Sequence, residues 1–162
     1  QIETAHKVFL KVLNYTPKGF RAPHLRMTAD TYRILRDLNY DYSSSQPQYK
    51  LGIFGKSKFI HEVLELPLSS CPSHPRQIIE TYHWFRSEYK IPVQKAGKLL
   101  ASEFEKLLHE TIRLKSFSTV FFDPMDLALM ENFDHMFCLL RSYRRKFNLR
   151  VVRYIDLVKA IK

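Results

Sequence analysis

The sequence predicts an α/β fold, layered or barrel-like, on three observations. Apolar residues recur at three- and four-residue steps in several segments, short apolar runs of strand length stand between them, and the two kinds alternate along the chain. Such alternation implies parallel strands joined by right-handed crossovers, which puts functional residues at the C-terminal ends of the strands. At 162 residues, 45% of them hydrophobic, the chain fits one domain with a core that needs no disulfides.

Taken in order, Ile2, Ala5, Phe9, Val12 and Leu13 set a helical period that Asn14 to Lys18 ends. Gly19 to Ala22 reads as a short buried strand, and Thr28 caps a second helix with Tyr32, Leu35 and Leu38 on its inner face. A strand at Tyr40 to Ser44 follows. Ser45 to Lys58 is mostly polar and reads as a surface excursion, and Phe59 to Leu68 resumes a strand pattern that Pro67 closes. Pro and Ser make Ser69 to Pro75 a loop, which leads into a helix at Arg76 to Tyr89. The remaining elements are a long helix over Val93 to Lys115, a strand at Thr119 to Phe122 and a helix over Asp126 to Phe147. A last strand at Leu149 to Arg153 and a closing helix at Tyr154 to Ile161 complete the chain. There is no internal repeat and no low-complexity tract.

Composition excludes several classes. With only 4 Gly and 8 Pro the chain is neither disordered nor fibrous. No apolar run approaches the ~18 residues that cross a bilayer, and Gln1 to His6 lack the layout of a signal peptide, so the chain reads as soluble with its compartment unspecified. Cys71 and Cys138 flank no CxxC and are expected to be plain thiols. The formal charge of +10 favours any anionic partner without choosing among nucleic acid, acidic glycan and membrane surface.

Arg21, Pro23 and His24 fall where the first strand ends, the position at which a barrel carries its functional loops. Pro23 fixes its own φ, so that the N–H of His24 could serve as an oxyanion donor. The plainer alternative is an Arg capping a neighbouring carbonyl and a His in an ordinary turn. The seven His show no His-x-x-x-His pair, and His61-Glu62 and His109-Glu110 lack the second His of a zincin, so the chain offers no metal site of its own.

Pro17 to Ser45 resembles the central motif of the polysaccharide deacetylase family. The run Thr16-Pro-Lys-Gly-Phe-Arg-Ala-Pro-His24, the helix at Thr31-Tyr32-x-x-Leu35 and Asn39-Tyr-Asp-Tyr-Ser-Ser-Ser45 follow that pattern in order and spacing. The resemblance implies a partial or distorted (β/α) barrel of the glycoside hydrolase/deacetylase type and hydrolysis of N-acetyl groups on an amino-sugar polymer. It also implies a divalent, zinc-like metal held by an Asp and two His, an Asp base and a late His acid. It makes Arg21 the residue that positions the base and His24, in the usual place of a Tyr, the oxyanion N–H. Glu65-Leu66-Pro67 is similar to a later Glu-x-Pro turn, and Trp84 to a pocket aromatic, although a core anchor is an equal reading for Trp84. Asp123, in Phe122-Asp123-Pro124, stands where the family has the His of Leu-His-Pro, and a carboxylate there is a poor acid at neutral pH unless burial raises its pKa.

The family's Thr-Phe-Asp-Asp and His-x-x-x-His motifs occur nowhere in the chain. The reading is therefore one deacetylase-like domain over 1–162 lacking its N-terminal part, either inactive unless completed or a carbohydrate-binding or scaffolding homologue. An incomplete barrel leaves strand edges to cover, which predicts a homodimer. The basic stretch Arg141 to Arg153, interleaved with Tyr143 and Phe147, suits phosphates, but it equally describes the solvated end of a helix and matches no named nucleic-acid motif.

Overall fold

The computed structural model describes residues 1–80 and 89–162. The described residues form a mixed α/β structure with small sheets, none closed into a barrel. They divide into two compact units, one of residues 1–46, 56–67 and 152–162, the other of 47–55 and 68–151. No helix among them is long and apolar enough to cross a membrane.

In the first unit, α1 (Ile2–Leu13) stops at Asn14, whose left-handed backbone lets the Tyr15 N–H close on the Phe9 carbonyl at 3.4 Å. The helix matches its sequence period, but of its apolar stripe Ile2 packs on the core while the C-terminal end lies open. Val12 and Leu13 are 68% and 61% exposed, and the buried side chain is His6, with Nδ1 3.4 Å from the Tyr40 hydroxyl. α2 (Ala29–Asp37) begins as expected at Thr28, in a capping box. Thr28 Oγ1 accepts the Thr31 N–H at 3.1 Å and Thr31 Oγ1 accepts the Thr28 N–H at 3.4 Å. Tyr32 and Leu35 turn inward to join Tyr40 and Val63 in the core.

The sheet of this unit runs in the order β1 (Gly19–Phe20), β2 (Tyr42–Ser43), β4 (Val63–Glu65), β3 (Lys58–Ile60). The first three are parallel, in the register Gly19 to Tyr42 to Leu64 and Phe20 to Ser43 to Glu65. Gly19 is needed because a Cβ there would run into the Tyr42 ring. The single strand read over Phe59 to Leu68 is instead an antiparallel hairpin. Its two-residue turn, His61 and Glu62, has φ of 46° and 69°, the left-handed pair that a tight hairpin needs. Neither residue is Gly or Asn, so the usual turn signal is missing. The chain closes with α7 (Tyr154–Ile161), as expected.

The second unit holds α3 (Gln48–Leu51), the ribbon β5 (Ser70–Cys71) and β6 (His74–Ile78), α4 (Gly97–Arg113), α5 (Pro124–Leu129) and α6 (Asp134–Phe147). Leu100, Phe104, Leu107 and Leu108 of α4 recur at helical spacing and pack with Met130, Met136 and Tyr143. Several expectations change here. Arg76 to Ile78 is strand, not helix, because the turn at Pro72 and Ser73 folds His74–Ile78 back onto Ser70 and Cys71; residues 81–88 of that expected helix lie outside the described residues. Thr119 to Phe122 is not a regular strand, although the Ser69 N–H donates to the Thr119 carbonyl and the Thr119 N–H to Ser69 Oγ. The helix read over 126–147 is two helices, parted where Met130 takes extended backbone and is buried. There the Glu131 N–H meets the Gln94 carbonyl, and a Cβ at Gly97 would run into the Glu131 carbonyl. Leu149 to Arg153 has no ladder partner and is irregular.

Candidate functional site

Three parallel strands of the first unit end side by side, and each delivers polar groups to that edge. β1 leads into Arg21-Ala22-Pro23-His24, β2 into Ser44-Ser45, and β4 ends on Glu65. This is the edge at which parallel sheets present ligand-binding residues.

Glu65 is the anchor. Its side chain is 0% exposed, and a buried carboxyl group costs several kcal/mol unless its lone pairs are met. Here three donors meet them. The N–H groups of Ser45 and Gln46 reach Oε1 at 2.7 and 2.9 Å, and the Tyr32 hydroxyl reaches Oε2 at 2.8 Å. Burial and then the neighbouring Glu65 push the Tyr32 phenol well above its ordinary pKa, so it remains a donor at any physiological pH. The second layer is Ser45, whose Oγ accepts from the Ala22 N–H and from the Ser43 hydroxyl, both at 2.9 Å. The backbone after β1 is thereby tied to the backbone after β2, and that backbone to β4.

Arg21 completes the tie. Its Nε donates to the Ser44 carbonyl at 2.9 Å, and Nη2 donates to Ser44 Oγ at 3.0 Å and to the Tyr154 hydroxyl at 2.7 Å. Its guanidinium carbon lies 5.6 Å from the centre of the Tyr154 ring, which stacks on Tyr42 at 5.7 Å and 5°. The geometry therefore includes the plainer alternative, an Arg bonded to a neighbouring carbonyl, at the same place where a positioning Arg is expected. Pro23 and His24 are exposed, and Pro23 heads a short 3₁₀ turn. His24 and Leu25 both have left-handed backbone, φ 52° and 55°, a conformation that costs non-glycine residues roughly 1–3 kcal/mol each and gathers at functional loops. The His24 N–H has no hydrogen-bond partner among the described residues.

The other expected site residues stand apart from this set. Asp123 belongs to the second unit, where it is exposed and caps α5, accepting the Met125 N–H at 2.8 Å. Trp84 lies outside the described residues. Sequence reasoning missed Tyr154 and Tyr32 as partners of the motif. For Glu65 a signal was present: a lone acid inside the apolar run Val63 to Leu68 must be buried with its donors.

The second unit has a polar cluster of its own around Glu103, which is 2% exposed on the apolar face of α4. It accepts from the Cys71 thiol and Ser73 N–H, both at 3.1 Å, from the Ser73 hydroxyl at 2.8 Å and from Lys106 at 2.6 Å. Burial pushes the carboxyl up, but these donors together outweigh it and hold the group below its ordinary pKa. Cys71 goes the other way. Burial, then the bond to Glu103, pushes its thiol up to about 12, so it is no nucleophile although His74 Nδ1 lies 3.8 Å away.

Among the described residues no three His, Cys, Asp or Glu side chains are grouped so as to hold a metal ion. The implied zinc-like ion therefore does not fit the residues described. Comparison of the chain with family models, with curated proteins and with solved structures finds no match.

Proposed function

We propose that the chain is a polysaccharide deacetylase-like domain, part of a partial or distorted (β/α) barrel, directed at the N-acetyl groups of an amino-sugar polymer. The observation that carries this reading is the convergence of Arg21-Ala22-Pro23-His24, Ser43-Ser44-Ser45 and Glu65 on one C-terminal sheet edge, each part fixed by the next. In this reading Arg21, held by Ser44 and Tyr154, sets the orientation of polar groups at the edge. The His24 N–H, on a strained and exposed turn, donates to the acetyl carbonyl oxygen. Hydrolysis of the carbon–nitrogen amide bond also needs a base and a metal-activated water, which the family draws from motifs that the sequence lacks. The chain by itself is thus a binding half of a hydrolase site.

One observation favours the second reading, a non-catalytic carbohydrate-binding or scaffolding homologue: the carboxylate at Asp123 is engaged as a helix cap. The two readings share a test. Titration of an N-acetylated glucosamine oligomer into the chain gives binding that Arg21→Ala abolishes, with no amine released. Absence of binding by the unaltered chain sinks both. Amine release on adding zinc to the chain sinks the second.

A further inference from the structure

We propose that the C-terminal half of α6 is a binding face for an acidic polysaccharide, whose carboxylate or sulfate groups seat between Arg141 and Arg145. The choice of a polysaccharide rests on the deacetylase-like reading above; the anion site rests on α6 itself. Arg141, Arg145 and Lys146, with Cys138 and Ser142, line an open groove of about 520 Å³. Arg141 and Arg145 are one turn apart, so their guanidinium forks fall on one side of the helix.

The plainer account is a helix end whose cations offset its dipole, but the magnitudes do not match. The C-terminal end of a helix carries about half a negative charge. Arg141, Arg144, Arg145 and Lys146 bring four positive charges to it, and all four are exposed. None of them, nor Arg150, has an ion-pair partner among the described residues, whereas Arg33, Arg36 and Arg153 each pair with an Asp. The surplus is left for a ligand.

The aromatic residues argue against a single-stranded nucleic acid, which stacks its bases on open ring faces. Tyr143 of α6 is 7% exposed and packs against α4. Phe147 has the Lys146 ammonium 5.2 Å from its ring centre. Phe133 and Phe137 are exposed, but they meet edge to face at 89°, so they make no stacking platform. Cations without stacking faces suit a chain of sugars carrying oxyanions.

The test is affinity electrophoresis of the whole chain in gels containing polygalacturonate, chondroitin sulfate or an oligonucleotide, single-stranded or duplex. Arg141→Glu/Arg145→Glu is compared with Arg76→Glu/Arg113→Glu. Both pairs take the formal charge from +10 to +6, two units per substitution, and all four residues are exposed. The expected result is retardation by a polysaccharide that weakens about tenfold in the α6 pair and stays within about twofold in the control pair; retardation by polygalacturonate shows that carboxylates suffice, and retardation by chondroitin sulfate alone shows that sulfate is required. Equal loss in both pairs would overturn the proposal as mere net charge, and so would retardation of the chain by an oligonucleotide, single-stranded or duplex, as strong as that by the polysaccharides. Titration of the neutral N-acetylated oligomer reads the first-unit site separately: Arg21→Ala abolishes that binding and the α6 pair does not.

Discussion

Glu65 converts a short sequence motif into a fixed edge, because two backbone N–H groups and one phenol depend on a single carboxyl group. Glu65→Ala leaves all three donors buried and unmet, and is expected to cost about 3–5 kcal/mol by urea denaturation; Glu65→Gln, which keeps an acceptor and the shape, costs less than half of that. Glu103 carries a pH dependence of definite sign. Its folded pKa lies below the ordinary value of 4.5, so its stabilisation is complete above that pH and is lost as pH falls through the folded value. Acid unfolding followed by far-ultraviolet circular dichroism is expected to shift to higher pH in Glu103→Gln, because the variant has lost that contribution at every pH. The two thiols differ for a related reason: Cys71 is buried beside Glu103, whereas Cys138 is exposed. Native protein at pH 8 is expected to give one rapidly alkylated cysteine, Cys138, and a second only in denaturant.

Helix ends decide more at the level of elements than helix interiors do. Thr28 and Asp123 both cap through side-chain oxygens, but the sequence reading names a cap only at Thr28, before an amphipathic period; Asp123, before a Pro at the first helical position, reads there as a displaced acid at the end of a strand. Asp123 is the informative case, since the structure gives that carboxylate a cap's hydrogen bond. Asp123→Asn keeps the cap and is expected to leave the melting temperature within a degree or two. Asp123→Ala removes it and is expected to cost about 1 kcal/mol in the same thermal melt. Equal losses in the two variants would mean that the negative charge, rather than the hydrogen bond to Met125, is what matters there. The hairpin at His61 and Glu62 shows the opposite situation, in which register rather than turn residue type fixes the geometry: pairing Ile60 with Val63 leaves two residues for the turn, and both take positive φ.

For the molecule as a whole, the unpaired features of the first unit matter most. Among the described residues β1 has a strand on one side only, and Val8, Phe9, Leu10, Val12 and Leu13 of α1 are exposed apolar side chains. A second copy of the chain is the partner that the sequence reading anticipates. Sedimentation equilibrium is expected to show mass rising with concentration toward twice the monomer, and Val12→Lys/Leu13→Lys to return it to the monomer. A monomer at every concentration would remove the homodimer.

Much of the fold was legible where a local rule sufficed. The first helix, the capped second helix, the parallel pairing of the short strands and the closing helix follow from period, caps and alternation, all of which act within a few residues. The Arg21-to-Ser45 motif was legible in the same way, as types and spacing. Tertiary contacts decided the rest. The sequence around Arg76 is compatible with helix, and the turn anchored by Ser73 on Glu103 makes it strand. The run over Asp126 to Phe147 is compatible with one helix, and burial of Met130 divides it. The partners of the candidate site, Tyr154 for Arg21 and Tyr32 for Glu65, lie 133 and 33 residues away. By itself the sequence determined which chemical groups this protein can offer. Only the tertiary structure decided which of them meet, because a hydrogen bond between distant residues depends on strand register and helix placement, and no local pattern encodes either.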